Sequence, residues 1–314
     1  MFIPLTVDAL IARLLVVGQR EKWTEKTIWA QARRPRYKEI RIQKRSSERN
    51  ILAGGDSEVE PKIRIIHEPS FWLKKIQRYI LNMVLEPATD MLMDCVCGCV
   101  QGHSIVTNAR PHVGARVRIH MDLKDFFPSV SVQRVYTLFY KVFKYETGLA
   151  WLLANLCCYL DRLPQGAPTS PMLANMVATP LDWGLTRICR NAGAVYTRYV
   201  DDLTFSFRNW VPREFRNEFI RRATRIVGVN GFKVNAEKTG VATQKRRMSV
   251  TGVVVNSGLS TPREFRRNLR AAIFNQEAGI PSVDSAEVVR GKLCYVRMVS
   301  PRQAISTLGK TTVR

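Results

Sequence analysis

Asp122, Asp201 and Asp202 are the residues of this sequence best placed to do chemistry. Asp201 and Asp202 interrupt the stretch TRYVDDLTFS (Thr197 to Ser206), between two apolar, strand-like runs that predict a tight hairpin with the pair at its tip. Asp122 closes the alternation VRIHMD. There Val117, Ile119 and Met121 point one way and Arg118, His120 and Asp122 the other, as in a half-buried strand. The pattern predicts Asp122 at the exposed-face end of that strand, before a loop through Phe126, Phe127 and Pro128 that enters a helix at Ser131. Carboxylates drawn together repel one another and take up protons unless cations hold them ionised. Their hard oxygens suit Mg2+, and two such ions about 4 Å apart can activate a hydroxyl and steady the leaving oxygen of an in-line displacement at phosphate. An isolated Asp-Asp is also ordinary turn material, so the surrounding motifs must decide.

The elements that would position these groups belong to a chain of 314 residues with 46% hydrophobic content, enough for a large core. Lys and Arg number 49 against 26 acidic residues, a net charge of +23 that marks a polyanion binder, nucleic acid first. No run approaches the roughly 18 apolar residues of a spanning helix, so no membrane partner is expected. The opening MFIPLTVDALIARLLVVG lacks the order of a signal peptide and predicts a folded helix. Seven cysteines, an odd number, point to free thiols in a reducing, cytoplasmic setting.

Arg33, Arg34, Arg36, Lys38, Arg41, Lys44 and Arg45 lie among aromatic and apolar residues and form either a solvated face or a phosphate contact. Ala53 to Pro61 has the punctuation of an exposed loop. Leu73, Ile76, Ile80 and Val84 are spaced for an amphipathic helix over 71–85, and Val113 to Ser206 alternates as an α+β lobe. Towards the end, Phe265, Leu269, Ala272 and Ile273 form one helical face. A second helix is expected from Asp284, with Glu287 completing a capping box and Val288, Val289, Leu293 and Val296 buried.

YVDD in a strand-turn-strand, preceded in order by DLKDFFPS and LPQGAPTSPMLAN, resembles the palm of reverse transcriptases. The resemblance implies an α+β right-hand polymerase with fingers, a palm of antiparallel sheet and helices, and a small helical thumb. These are expected at 35–112 with part of 130–165, at 113–250 and at 251–314, after an N-terminal helical extension at 1–34. It implies that Asp122, Asp201 and Asp202 are catalytic and hold two Mg2+ ions with the backbone carbonyl of Leu123. QGAPTSP predicts a Gly- and Pro-fixed loop leading into a helix with Ser170 as N-cap and Pro171 first in the helix, and by resemblance Gln165 and Gly166 face the templating pair. Phe127 matches the aromatic gate that excludes a ribose 2′-hydroxyl, with one of Phe126 and Phe127 in the core. GFKVNAEKTG resembles the next polymerase motif, with Lys238 either near the departing pyrophosphate or simply solvated. KIRIIHEPSFWLKKIQRYIL resembles the fingers, where Arg64 and Lys62 would hold the triphosphate of a dNTP. The alternative for both is a charged edge strand.

NARPH (Asn108 to His112) and VTG (Val250 to Gly252) look like the hallmark segments of retron reverse transcriptases, bacterial enzymes that copy part of a dedicated structured non-coding RNA. The resemblance implies priming by an RNA 2′-hydroxyl and a branched, RNA-linked single-stranded DNA product (msDNA). It also implies an anti-phage complex with an effector protein encoded nearby, and a higher-order oligomer. RNA binding would fall to Asn108, His112, Val250, Thr251 and Gly252, with Arg266 and Arg270 of the basic thumb. Asn108 and His112 read equally as buried hydrogen-bonding residues. Two rival functions are a nucleic-acid-bound scaffold restraining a toxic effector, and a group II intron-like or abortive-infection polymerase.

Cys95, Cys97 and Cys99 with His103 offer soft ligands, but CVCGC alternates like one strand face and lacks the usual zinc spacing. Cys157 and Cys158 read as core.

Overall fold

The computed structural model describes residues 6–19, 23–43, 63–281 and 283–308. Lys62, Lys44, Arg45 and the loop expected at 53–61 lie outside the described residues. The chain forms two compact units, Met1–Leu92 with Asp125–Thr179, and Met93–Lys124 with Pro180–Arg314.

In the first unit, α1 (Val7–Val17) and α2 (Glu25–Arg33) start on threonine caps, Thr6 and Thr24, and bury Leu10, Leu14, Ile28 and Ala32. A hairpin of β1 (Tyr37–Gln43) and β2 (Ile63–Pro69) leads into α3 (Phe71–Ile80), whose expected face of Leu73, Ile76 and Ile80 is buried. The helix runs on to Leu85 as a π-helical turn that buries Val84. Ser131 caps α5 (Val132–Thr137) as expected. α6 (Thr147–Cys157) is apolar all round and buries Leu149, Leu152, Leu153, Leu156 and Cys157, and Cys158 beyond it is buried too. α7 (Ser170–Val177) starts one residue earlier than expected. Thr169, not Ser170, precedes it without a side-chain cap, and Pro171 falls at the second position, where its missing N–H leaves no bond unmade.

The second unit holds a four-stranded antiparallel sheet in the order β4 (Ala194–Tyr199), β5 (Asp202–Phe207), β3 (Val117–Lys124) and β6 (Lys233–Thr243). The short α4 (Ile105–Ala109) precedes it, and α8 (Thr179–Asn191) and α9 (Arg213–Val229) flank its strands in the chain. Val117, Ile119 and Met121 are fully buried, as their alternation predicts. A minimal hairpin, β7 (Ser249–Val250) and β8 (Val253–Val254), precedes three helices: α10 (Arg263–Glu277), α11 (Ala286–Val299) and α12 (Pro301–Leu308).

Leu269, Ala272, Ile273, Val289 and Val296 form the helical core, with Phe265 and Leu293 packed against it. Two expectations are corrected here. Ser285 rather than Asp284 caps α11, accepting from Val288 N, because the helix begins at Ala286; the Asp284 carboxylate pairs with Lys292 Nζ at 2.5 Å. Val288 lies 44% exposed, one position off the buried stripe. Among the described residues no helix is long and apolar enough to cross a membrane.

Candidate active site

The register of the sheet assembles the carboxylates. Asp122 on β3 pairs directly with Asp202 on β5, and directly opposed residues of antiparallel strands project from the same face. Asp201 occupies the β4–β5 loop, and its carbonyl accepts from Leu123 N at 2.9 Å, tying the loop to β3. One carboxylate oxygen from each of Asp122, Asp201 and Asp202 lies within 4.8 Å of the others.

Asp122 was expected at an exposed end, but it is only 4% exposed. The strand alternation holds; the face is covered because β6 pairs along β3 beyond a bulge between His120 and Asp122. From β6, Lys238 Nζ reaches Asp122 Oδ2 at 3.0 Å and Asn235 Nδ2 reaches Oδ1 at 3.2 Å. Burial, then the Asp202 charge, raises the Asp201 pKa; burial, then Asp122, raises that of Asp202. Lys238 opposes both shifts. His120 Nε2 stands 3.7 Å from Asp202 Oδ1, and burial followed by Arg118 lowers its pKa, so a neutral imidazole adds no positive charge at neutral pH. Crowded hard oxygens whose repulsion Lys238 relieves only in part form a donor set that fits divalent metal.

The loop carrying Asp201 is held from below. Tyr199 pairs with Asp202, leaving a two-residue turn in which Val200 has φ +61°, a conformation that favours glycine and costs a β-branched residue about 1–3 kcal/mol. The guanidinium of Arg198, fully buried, donates from Nη1 to Val200 O at 3.1 Å. It also grips Asp182 of α8 through Nε–Oδ1 at 2.8 Å and Nη2–Oδ2 at 2.6 Å, while Tyr196 OH donates to Oδ1 at 2.8 Å. The CVCGC segment braces the other side. Cys97 N donates to Arg198 O at 2.8 Å, Arg198 N donates to Cys95 O at 2.7 Å, and the bare Cα of Gly98 lies against Val200. The segment is therefore a turn with one parallel bridge at Val96 and not the strand face expected. Burial pushes the Cys97 thiol up to about 11 and Cys95 up to about 12, and among the described residues only the aspartate trio gathers as a metal-ligating group.

Comparison with known proteins matches the stretch of chain that carries these carboxylates to a family. Residues 42–255 match the family model for reverse transcriptase (RNA-dependent DNA polymerase). The chain is 32% identical to the Retron Ec86 reverse transcriptase of Escherichia coli, over 80% of this chain and 77% of that protein. The chain belongs to the retron reverse transcriptases. It is therefore an RNA-directed DNA polymerase. It is also 39% identical to the Retron Mx65 reverse transcriptase and 36% identical to the Retron Mx162 reverse transcriptase, both of Myxococcus xanthus. Those matches cover 77% and 79% of this chain but 60% and 58% of the two relatives, so the chain spans about three fifths of their length. Among solved structures, telomerase from Candida albicans superposes with a TM-score of 0.51 at 11% identity, over 96% of this chain and 61% of that one, a likeness of fold.

The remaining expected residues of this reverse transcriptase divide between its units. Lys238 joins the carboxylates. Arg64, Phe127, Gln165 and Gly166 belong to the first unit. Arg64 is exposed on β2, and the adjoining stretch of that strand seats the Gln165–Gly166 loop through His67 N donating to Gln165 O at 2.7 Å. Gly166 has φ +125°, and a Cβ there would lie 2.7 Å from His67 O, so only glycine fits. Phe126 is the core member of its pair at 3% exposure, leaving Phe127 half-buried.

NARPH and VTG meet inside the second unit. Thr251 and Gly252, at φ +46° and +84°, form the two-residue turn between β7 and β8, while Val250 is buried. Asn108, fully buried, donates from Nδ2 to Thr251 Oγ1 at 3.3 Å. His112, equally buried, bridges Ser206 Oγ at 2.6 Å and Thr197 Oγ1 at 2.8 Å. On α10, Arg266 is engaged by Thr261 O and by Gln303 Oε1, the latter at 3.1 Å, and Arg270 is half-buried.

Sequence patterns missed Asn235, Arg198, Asp182 and Gly98. One signal was available: Arg198 is a lone charge in an apolar strand, and such a residue is buried only with a partner.

Proposed function

We propose that this polymerase copies part of a dedicated structured non-coding RNA into branched, RNA-linked single-stranded DNA, primed by an RNA 2′-hydroxyl. The observation that carries the chemistry is the convergence of Asp122, Asp201 and Asp202 oxygens within 4.8 Å. Membership of the retron family supports the choice of template and product. The trio and the Leu123 carbonyl would hold two Mg2+ ions. When bound, such ions lower the pKa of an attacking hydroxyl and offset charge on the phosphates. Before that, Lys238 partly neutralises Asp122, and the Arg198 brace keeps the turn that bears Asp201 in place.

Within this reading Arg64 and Lys62 take the triphosphate of the dNTP, Phe127 screens its sugar, and Gln165 with Gly166 meets the templating pair. Lys238 serves the departing pyrophosphate. Thr251 and Gly252 contact the RNA at their turn, with Asn108 and His112 acting from beneath as positioning residues. The fingers take 35–112 with part of 130–165, the palm 113–250 and the thumb 251–314, after the N-terminal extension at 1–34. Retron membership also supports a cytoplasmic defence complex with an effector encoded nearby.

The test is extension on the copurified RNA with Mg2+ and dNTPs, followed by sequencing of the product. DNA joined to RNA by a 2′ branch is expected. Linear DNA made equally on unrelated RNAs would defeat the dedicated-template reading.

A further inference from the structure

Helix α2 and the residues that follow it carry a basic, aromatic concavity that the polymerase chemistry does not use. α2 buries Ile28 and Ala32 where it packs on α6, and leaves Lys26 and Arg33 exposed. With Arg34 and Arg36 these cations line a hollow of about 790 Å³, and among the described residues no carboxylate lines it. None of the four forms an ion pair with a described residue. Beside them Trp29 is fixed in place, its Nε1 donating to Glu25 Oε1 at 3.1 Å. Its ring stacks on Trp151 of α6 with centroids 6.3 Å apart and planes 29° apart, and Trp151 remains 41% exposed.

Unpaired arginines offer forked donors to phosphate oxygens, and an open indole offers a face on which an unpaired base stacks. A duplex hides the faces of its bases, and a lipid headgroup layer presents no planar rings. We propose that this concavity binds an unpaired segment of the RNA that the enzyme copies. Lys26, Arg33, Arg34 and Arg36 would follow the backbone, with a base on the Trp29–Trp151 pair. RNA is the occupant because RNA is the polyanion the enzyme must hold before any DNA exists; that choice of ligand rests on the RNA-directed activity.

The experiment uses the full chain freed of nucleic acid and a labelled single-stranded oligoadenylate, with affinity measured over a salt series. Replacing Arg33, Arg34 and Arg36 together by Gln should reduce the slope of log K against log salt by about 2, from roughly 0.7 per lost phosphate contact. The matching Arg→Lys triple variant should restore it, which separates lost charge from lost folding. Trp29→Ala should weaken binding roughly ten-fold with the slope kept. In the copurified complex, ultraviolet crosslinking should place an RNA adduct on the peptide bearing Trp29. An unchanged slope in the Gln triple variant overturns the site. Equal loss for double-stranded RNA with no effect of Trp29→Ala overturns the single-strand assignment, and a DNA adduct in place of RNA overturns the occupant. Wild-type extension is measured in parallel, so an inactive wild type would count against the polymerase reading separately.

Discussion

Arg198 and Asp182 form a two-pronged ion pair with both side chains at most 1% exposed, and the same guanidinium holds the carbonyl of Val200, the residue before Asp201. Removing one member of such a pair leaves a buried charge uncompensated, at a cost of about 3–5 kcal/mol. Asp182→Asn should lower stability by that amount in denaturant unfolding. An unmoved midpoint would show that the pair does not support the fold.

Gly98 should be intolerant of any side chain. A Cβ there would lie 2.4 Å from Val200 N, so Gly98→Ala must push the Asp201 turn aside. A displacement near 1 Å costs on the order of 100-fold in rate, so kcat should fall by about that factor while primer–template binding persists. Full activity would show that the turn is not held by this contact.

Asp201→Asn removes a carboxylate from the trio. Loss of metal-assisted charge stabilisation of several kcal/mol predicts a fall in extension rate of about 10³-fold or more. Chelation by EDTA should silence the wild type, and Mg2+ should restore it. A chelator-resistant wild type would refute the metal assignment.

His112 makes stability depend on pH. Burial first, then the Arg118 charge, lowers its pKa to about 4 from an ordinary 6.5. The unfolded chain therefore takes up a proton near pH 6.5 that the folded chain refuses until about pH 4. The contribution is complete above pH 6.5 and is lost as pH falls towards 4, by about 3 kcal/mol in all. Unfolding free energies measured across that window should show the decline, and His112→Gln should flatten it.

Much of the site was legible without coordinates. Period-two alternation depends only on neighbouring residues, so VRIHMD, AVYTRYV and LTFSF announced their strands and put Asp122, Asp201 and Asp202 at strand ends. Capping signals and apolar stripes likewise located α3, α5 and α10 to within a few residues. Less legible were the burial of Asp122 and the turn at CVCGC, because each depends on partners far along the chain.

The sequence by itself determined the chemistry on offer: three hard carboxylates on strands of a strongly basic chain, in the order used by reverse transcriptases. Only the tertiary structure decided that Asp122 stands opposite Asp202, that β6 covers it with Lys238 and Asn235, and that Arg198 reaches Asp182 beneath the turn. The physical reason is that strand formation is a local preference. Register and the pairing of buried charge are set by packing between segments that the sequence separates widely.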